Sequence, residues 1–132
     1  LGSFGPVQMM SSCQVCVAGY YSPGLGLSIC ASCTPGQFSL SNFSSCLDCA
    51  PGSFAPFSNA ITCPPCAAGY FANTTGMSAC PACVAGTFGN ISGLSNCHDC
   101  VAGRVSSVNA TVCQDCIPGT IASQPRMMSC QL

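Results

Sequence analysis

Paired cysteines recur along this chain every 16 or 17 residues, and no other feature of the sequence constrains the fold as strongly. Each pair encloses two residues and forms a C-x-x-C knuckle. An eighth knuckle begins at Cys130. Such a fixed period is the signature of a tandem array of small structural units. The seven complete knuckles are Cys13/Cys16, Cys30/Cys33, Cys46/Cys49, Cys63/Cys66, Cys80/Cys83, Cys97/Cys100 and Cys113/Cys116.

Other residue columns keep register with the knuckles. A column glycine stands three residues after each second cysteine, and an apolar, mostly aromatic residue stands two residues after that glycine, as in Gly36 and Phe38. Alanine or proline before the glycine indicates a turn, because glycine readily adopts positive φ. A polar tip between two short extended stretches is typical of a hairpin. One hairpin is too small for its own core, so we expect the aromatic column of one unit to stack on the next.

These patterns predict a small disulfide-rich, irregular β fold, arranged as an elongated tandem-repeat rod of disulfide-closed hairpin units of ~17 residues. We expect a single array of about eight repeats over residues 1–132. Gly2 and Phe4 fit the columns ahead of Cys13. The register therefore places one further cysteine just before Leu1 and another just after Leu132, as in a window from a longer chain.

Charge excludes several classes of function. The chain has three acidic residues, two basic residues and one histidine, His98. A nucleic-acid partner requires a basic footprint, and acid–base catalysis requires titratable groups in a cleft. We therefore expect no nucleic-acid partner and no enzyme, and we interpret His98-Asp99 as a solvent-facing part of its knuckle. The sequence contains no run of about 18 apolar residues, so we expect no membrane span in this segment.

The knuckles suit either disulfides or zinc, because C-x-x-C is also a zinc-ribbon spacing. A four-thiolate zinc site carries a net charge of about −2, and this chain offers two arginines and no lysine beside it. We therefore expect disulfides, with no metal and no other cofactor apart from covalent glycans.

Two pairing schemes remain open for these disulfides. An interleaved scheme joins Cys13 to Cys30 and Cys16 to Cys33, with a doubled period that the uniform columns do not favour. The loop scheme joins the second cysteine of each knuckle to the first of the next and leaves Cys13 for an upstream partner. Its seven pairs are Cys16–Cys30, Cys33–Cys46, Cys49–Cys63, Cys66–Cys80, Cys83–Cys97, Cys100–Cys113 and Cys116–Cys130.

Abundant disulfides predict an extracellular or cell-surface location, because such bonds persist in oxidising compartments. Four N-x-S/T sequons agree with this location. All four fall in polar tips, where a glycan stands clear of the repeat, so we expect N-glycosylation there. The four asparagines are Asn42, Asn73, Asn90 and Asn109.

The stretches Cys16-Val-Ala-Gly-Tyr-Tyr-Ser and Cys83-Val-Ala-Gly-Thr-Phe, each followed by the next knuckle, resemble the ephrin-receptor-like cysteine-rich repeat. That repeat is in turn similar to the first loop of tumour-necrosis-factor-receptor modules. The resemblance covers nearly the whole chain and favours the loop scheme. It implies tandem repeats of a large extracellular protein, of the kind found in animals, algae and protists, including proteins similar to those of flagellar hairs.

Two functions follow as hypotheses. The first is a structural glycoprotein that self-associates into a rod or filament, such as a fibril, flagellar hair or cell-surface coat, because so few charges cannot keep a long surface apart from its neighbours. The alternative is a receptor or adhesin ectodomain that binds protein or carbohydrate. Its candidate contact residues are Tyr20, Tyr70 and Arg104.

Overall fold

The computed structural model describes residues 3–4, 14–24 and 29–132. Within these ranges the regular structure consists of β-strands of two residues each, without a helix. The strands are β1 (Ser3–Phe4), β2 (Gln14–Val15), β3 (Tyr20–Tyr21), β4 (Ala31–Ser32), β5 (Gln37–Phe38), β6 (Leu47–Asp48), β7 (Thr87–Phe88), β8 (His98–Asp99), β9 (Arg104–Val105) and β10 (Gln114–Asp115).

The strands form antiparallel hairpins, each from two strands that follow one another in the chain. The first strand follows a column glycine and the second lies in the next knuckle, so that in β5–β6 Phe38 faces Leu47. Where a knuckle contains proline, the hairpin shrinks to a single bridge, such as Ser53 with Pro65. Proline has no N–H to donate to a ladder. The prediction of small, irregular β hairpins is confirmed.

Seven disulfides close these hairpins, and each joins the second cysteine of one knuckle to the first of the next. The bonded cysteines are 13 or 14 residues apart. Closing a loop of this length stabilises the fold by about 3 kcal/mol through loop entropy. Cys13 and its expected upstream partner lie outside the described residues. The pairs are Cys16–Cys30, Cys33–Cys46, Cys49–Cys63, Cys66–Cys80, Cys83–Cys97, Cys100–Cys113 and Cys116–Cys130.

The contacts divide the chain into two compact units. Unit 1 comprises Leu1–Ala50, Phe54–Pro64 and Thr75–Ala79. Unit 2 comprises Pro51–Ser53, Pro65–Thr74 and Cys80–Leu132. The expectation of one continuous rod over residues 1–132 stays a prediction.

The interior of unit 1 consists of cysteines and very small residues. Backbone hydrogen bonds join its successive repeats: the Gly19 N–H donates to the Ser39 carbonyl at 2.9 Å and the Gly36 N–H donates to the Ala55 carbonyl at 2.8 Å. The acceptors stand three residues after a column glycine, a position we call the small column. The fully buried residues of unit 1 include Cys16, Cys33, Cys49, Ser22, Ser39 and Ala55.

Unit 2 has the same construction. The Gly69 N–H donates to the Gly89 carbonyl at 2.9 Å, and the Gly86 N–H donates to the Ser106 carbonyl at 3.0 Å. The Ser106 hydroxyl adds a bond to the Thr87 carbonyl at 2.8 Å. We call these recurring backbone bonds between repeats the ladder. The buried residues of unit 2 include Cys66, Cys83, Cys100, Ala72, Ser106 and Ala122.

The expectation that the aromatic column stacks between repeats is wrong for the described residues. Phe54, Phe71 and the other aromatic residues of the column are half-buried, and Ile121 in the last repeat is exposed. The one ring contact among the described residues joins Phe88 to His98 across a single hairpin, with centroids 5.5 Å apart. The buried positions that follow the column glycines are instead taken by the small column, whose serine, alanine and glycine residues leave the aromatic rings at the edge of the interior.

Candidate functional site

The fourth residue before the first cysteine of a knuckle docks each described tip onto an earlier repeat. We call it the left-handed position, because its φ lies between 62° and 80° wherever the structure describes it. Its N–H donates to the carbonyl of a second cysteine, as from Asn109 to Cys83 at 2.8 Å and from Asn42 to Cys16 at 3.1 Å. The residues at this position are Asn42, Asn59, Gly76, Gly93, Asn109 and Arg126.

The left-handed position also presses against a column glycine two repeats earlier. The Arg126 carbonyl lies where a Cβ on Gly86 would stand, and the Asn109 side-chain oxygen lies in the same place at Gly69. Gly86 itself has a φ of 85°, which L side chains rarely adopt. Two independent requirements therefore select glycine at these columns: its backbone conformation and the absence of a side chain.

The structure separates the four sequons into two classes. Asn73 and Asn90 are exposed and stand four residues after a column glycine, directly after a residue of the small column. Asn42 and Asn109 are also exposed, but both occupy the left-handed position. The positions of the four asparagines relative to the cysteines can be read from the sequence. The ladder bonds of Asn42 and Asn109 are seen only in the structure.

The Asn109 side chain makes a contact of its own. Its Nδ2 donates to the Tyr70 hydroxyl at 3.2 Å. Tyr70 is one of the three candidate contact residues of the adhesin hypothesis, and its hydroxyl contacts a later repeat of its own chain, two positions along.

The charged side chains are also engaged within the chain. Arg104 and Asp115 face each other across β9–β10, with Nε and Oδ1 2.6 Å apart, and Arg126 lies 3.4 Å from Asp99. The remaining acid, Asp48, accepts a bond from the Gln37 side chain at 2.8 Å. Pairs this exposed contribute about 0–1 kcal/mol each. Of the five charged side chains, Asp48 alone therefore lacks an oppositely charged partner.

Large apolar side chains are exposed at equivalent points of successive repeats. In unit 2 the residue directly after the second cysteine is Ala67 in the first repeat. In the three repeats that follow it is Val84, Val101 and Ile117, with 56%, 63% and 70% of the residue accessible. Val17 occupies the same position in unit 1 and is 66% accessible. We call this position the apolar column; it was not predicted from the sequence. Apolar residues directly after a knuckle cysteine were the available signal, interrupted by Thr34, Ala50 and Ala67.

The residues considered for catalysis or ligand reading do not converge. Tyr20 is half-buried in β3, and His98 and Asp99 are exposed in β8. A surface hollow of about 410 Å³ in unit 2 is lined by apolar residues such as Val112 and Met128, together with neutral polar ones. No charged side chain lines that hollow, so it offers no acid–base pair.

Across residues 3–4, 14–24 and 29–132, no group of three or more histidine, cysteine, aspartate or glutamate side chains is placed to hold a metal ion. In the same part of the chain, no helix has the length and hydrophobicity needed to cross a bilayer. The paired cysteines form disulfide bonds, which are typical of the oxidising extracellular or secretory environment.

No model of a known protein family matches this chain, and no curated protein matches it either. The resemblance to the ephrin-receptor-like repeat therefore stays a prediction drawn from the knuckles and columns. Over the described residues, the structure establishes a disulfide-rich tandem repeat with few charged side chains and several exposed apolar ones.

Proposed function

We propose that this chain is part of a structural extracellular glycoprotein that associates with copies of itself into a rod or filament. The observation that carries the proposal is the repeated exposure of large apolar residues, typified by Val101. The same surface has only five charged side chains, and four of them form ion pairs. Soluble monomers stay apart because their surfaces carry many charges of both signs and only small apolar patches. This surface has the opposite character and requires a covering.

Two kinds of covering fit the chemistry. Glycans on exposed tips would shield part of the surface, and neighbouring protein would cover the apolar column. A contact repeated from one copy to the next without closing produces a filament. The disulfides support a secretory route, because cytosolic reductants would keep these cysteines as thiols.

The test is the self-association of the secreted chain, measured by sedimentation velocity over a range of concentrations after enzymatic removal of glycans. The double variant Val101→Asp/Ile117→Asp removes two exposed apolar side chains and adds two negative charges. The matched control, Ser107→Asp/Gln124→Asp, adds the same charge at exposed polar positions.

We expect the unsubstituted chain and the control to form large species, and the apolar-column variant to sediment mostly as a monomer. Burying a valine or isoleucine is worth about 1.5–3 kcal/mol, so losing two from each contact weakens it by tenfold or more. Monomeric behaviour of the unsubstituted chain at every concentration would overturn the proposal. Equal weakening by both variants would assign association to net charge instead of the apolar column.

A further inference from the structure

We infer that the four sequons are not equivalent: Asn73 and Asn90 accept N-glycans, whereas Asn42 and Asn109 are reserved for docking one repeat onto another. This inference rests on the extracellular glycoprotein proposed above and names the positions at which it is modified. Exposure does not separate the classes, because all four asparagines are exposed. The ladder separates them.

The sequons at residues 73–75 and 90–92 lie outside the ladder. All six of their residues are exposed, and none makes a hydrogen bond within the described part of the chain. A glycan at Asn73 or Asn90 therefore displaces no contact. Exposed loop tips without bonded backbone are also the segments that best tolerate bulky additions.

The sequons at residues 42–44 and 109–111 belong to the ladder. In each, the asparagine and the residue after it both make a backbone hydrogen bond to an earlier repeat. The Asn109 N–H donates to Cys83, and the next carbonyl, that of Ala110, accepts the Gly89 N–H at 2.9 Å. The Asn42 sequon repeats this arrangement, with its middle carbonyl accepting the Ser22 N–H at 3.4 Å. Here the backbone of the acceptor site is already held by an earlier repeat.

The Asn109 side chain also binds an earlier repeat. Glycosylation occurs on Nδ2, which is the atom that donates to the Tyr70 hydroxyl. The side-chain oxygen lies against Gly69. A sugar on Nδ2 would therefore point at a repeat two positions earlier and would compete with its packing. Both partners precede Asn109 in the chain, so they are synthesised before it and can capture it early.

The modification itself is a transfer from an oligosaccharide linked through pyrophosphate to a polyisoprenoid lipid. The asparagine Nδ2 forms a bond to the anomeric carbon C1, and the bond from C1 to the pyrophosphate oxygen breaks. One amide proton is released and the lipid pyrophosphate leaves. The reaction needs an asparagine whose amide can reach the donor, together with the serine or threonine two residues later.

The experiment is secretion of the chain from a eukaryotic cell behind an added signal peptide, which exposes every sequon to the transferase whatever the natural compartment. Glycans are removed with an amidase in H₂¹⁸O, which converts each glycosylated asparagine to ¹⁸O-labelled aspartate. Peptide mass spectrometry then measures occupancy at all four sites. Two matched variants, Thr75→Ala and Thr111→Ala, destroy one sequon of each class at exposed threonines without changing the asparagine.

We expect labelling at Asn73 and Asn90 and at least tenfold lower occupancy at Asn42 and Asn109. Thr75→Ala should lower the intact mass by one glycan, and Thr111→Ala should leave the glycan number unchanged. Comparable occupancy at Asn109 and Asn73 would overturn the inference while leaving an extracellular glycoprotein intact. Absence of glycan at every site in this forced secretion would also overturn it, independently of whether the chain forms filaments.

Discussion

Adding one methyl group at Gly86 tests the close approach between repeats. A Cβ there would collide with the backbone of Arg126, whose own N–H is held by the Cys100 carbonyl at 2.9 Å. Neither the Gly86 backbone nor the Arg126 backbone can move away without breaking one of its ladder hydrogen bonds. Gly86→Ala should therefore combine two costs: about 1–2 kcal/mol for an L side chain at left-handed φ, and about 1–3 kcal/mol for forcing atoms into an occupied space.

Gly103 provides a matched control within unit 2. Its φ is 88°, its N–H and carbonyl make the same ladder bonds as those of Gly86, and nothing lies within 4 Å of a Cβ built on it. Gly103→Ala should therefore show only the conformational cost. The effect of alanine on the unfolded chain is common to both variants and cancels in the comparison.

The measurement is amide hydrogen exchange with the disulfides intact, because repeat arrays can open locally and need not unfold in one step. The reporting amides are Cys100, bonded to the Gly86 carbonyl, and Cys116, bonded to the Gly103 carbonyl. An additional 1–3 kcal/mol corresponds to roughly 5- to 150-fold less protection. If the two variants lose the same protection, the packing of the left-handed position against the column glycine is not a stabilising contact and the reasoning fails.

Three further outcomes are expected. Proteolysis without reduction should release peptides that link successive knuckles, such as Cys33–Cys46, and a link between corresponding cysteines of neighbouring knuckles would contradict the loop scheme. Ala72→Leu should lower the free energy of unfolding by about 1–3 kcal/mol, because Ala72 is fully buried and a larger side chain would overpack the interior. The exposed control Ala67→Leu should leave the free energy of unfolding nearly unchanged. Equal effects of the two variants in urea titrations would argue against a tight interior. Arg104→Gln should change stability by less than about 1 kcal/mol because its ion pair is exposed, and a larger loss in thermal melts would show that the pair supports the hairpin.

The cysteine period predicted the hairpins, because a cross-link every repeat leaves the chain few alternatives. The interior was harder to predict. Bulky residues usually mark a core, so Phe38 and Phe71 suggested stacking, whereas the fully buried position between repeats is held by small residues such as Ala72. That column carried a readable signal, since serine, alanine and glycine are its only members in the described repeats.

The left-handed position was hidden for a different reason. Asn42 and Asn109 each begin a sequon, and asparagine is also a residue that tolerates positive φ. The sequon was the more familiar explanation for these two asparagines. Glycine at Gly76 and Gly93, four residues before their cysteines, pointed to the conformational requirement. Arg126 breaks the pattern, and its φ of 65° could not have been inferred from its residue type.

The ladder bonds connect main-chain groups, which are the same whatever side chains a repeat carries. A gene for such a protein can therefore gain or lose whole repeats by duplication or unequal recombination without compensating substitutions elsewhere, since each newcomer offers its neighbours the same donors and acceptors. The number of repeats is thereby open to change in steps of one, provided that each repeat keeps its column glycine, its small residue and its left-handed position.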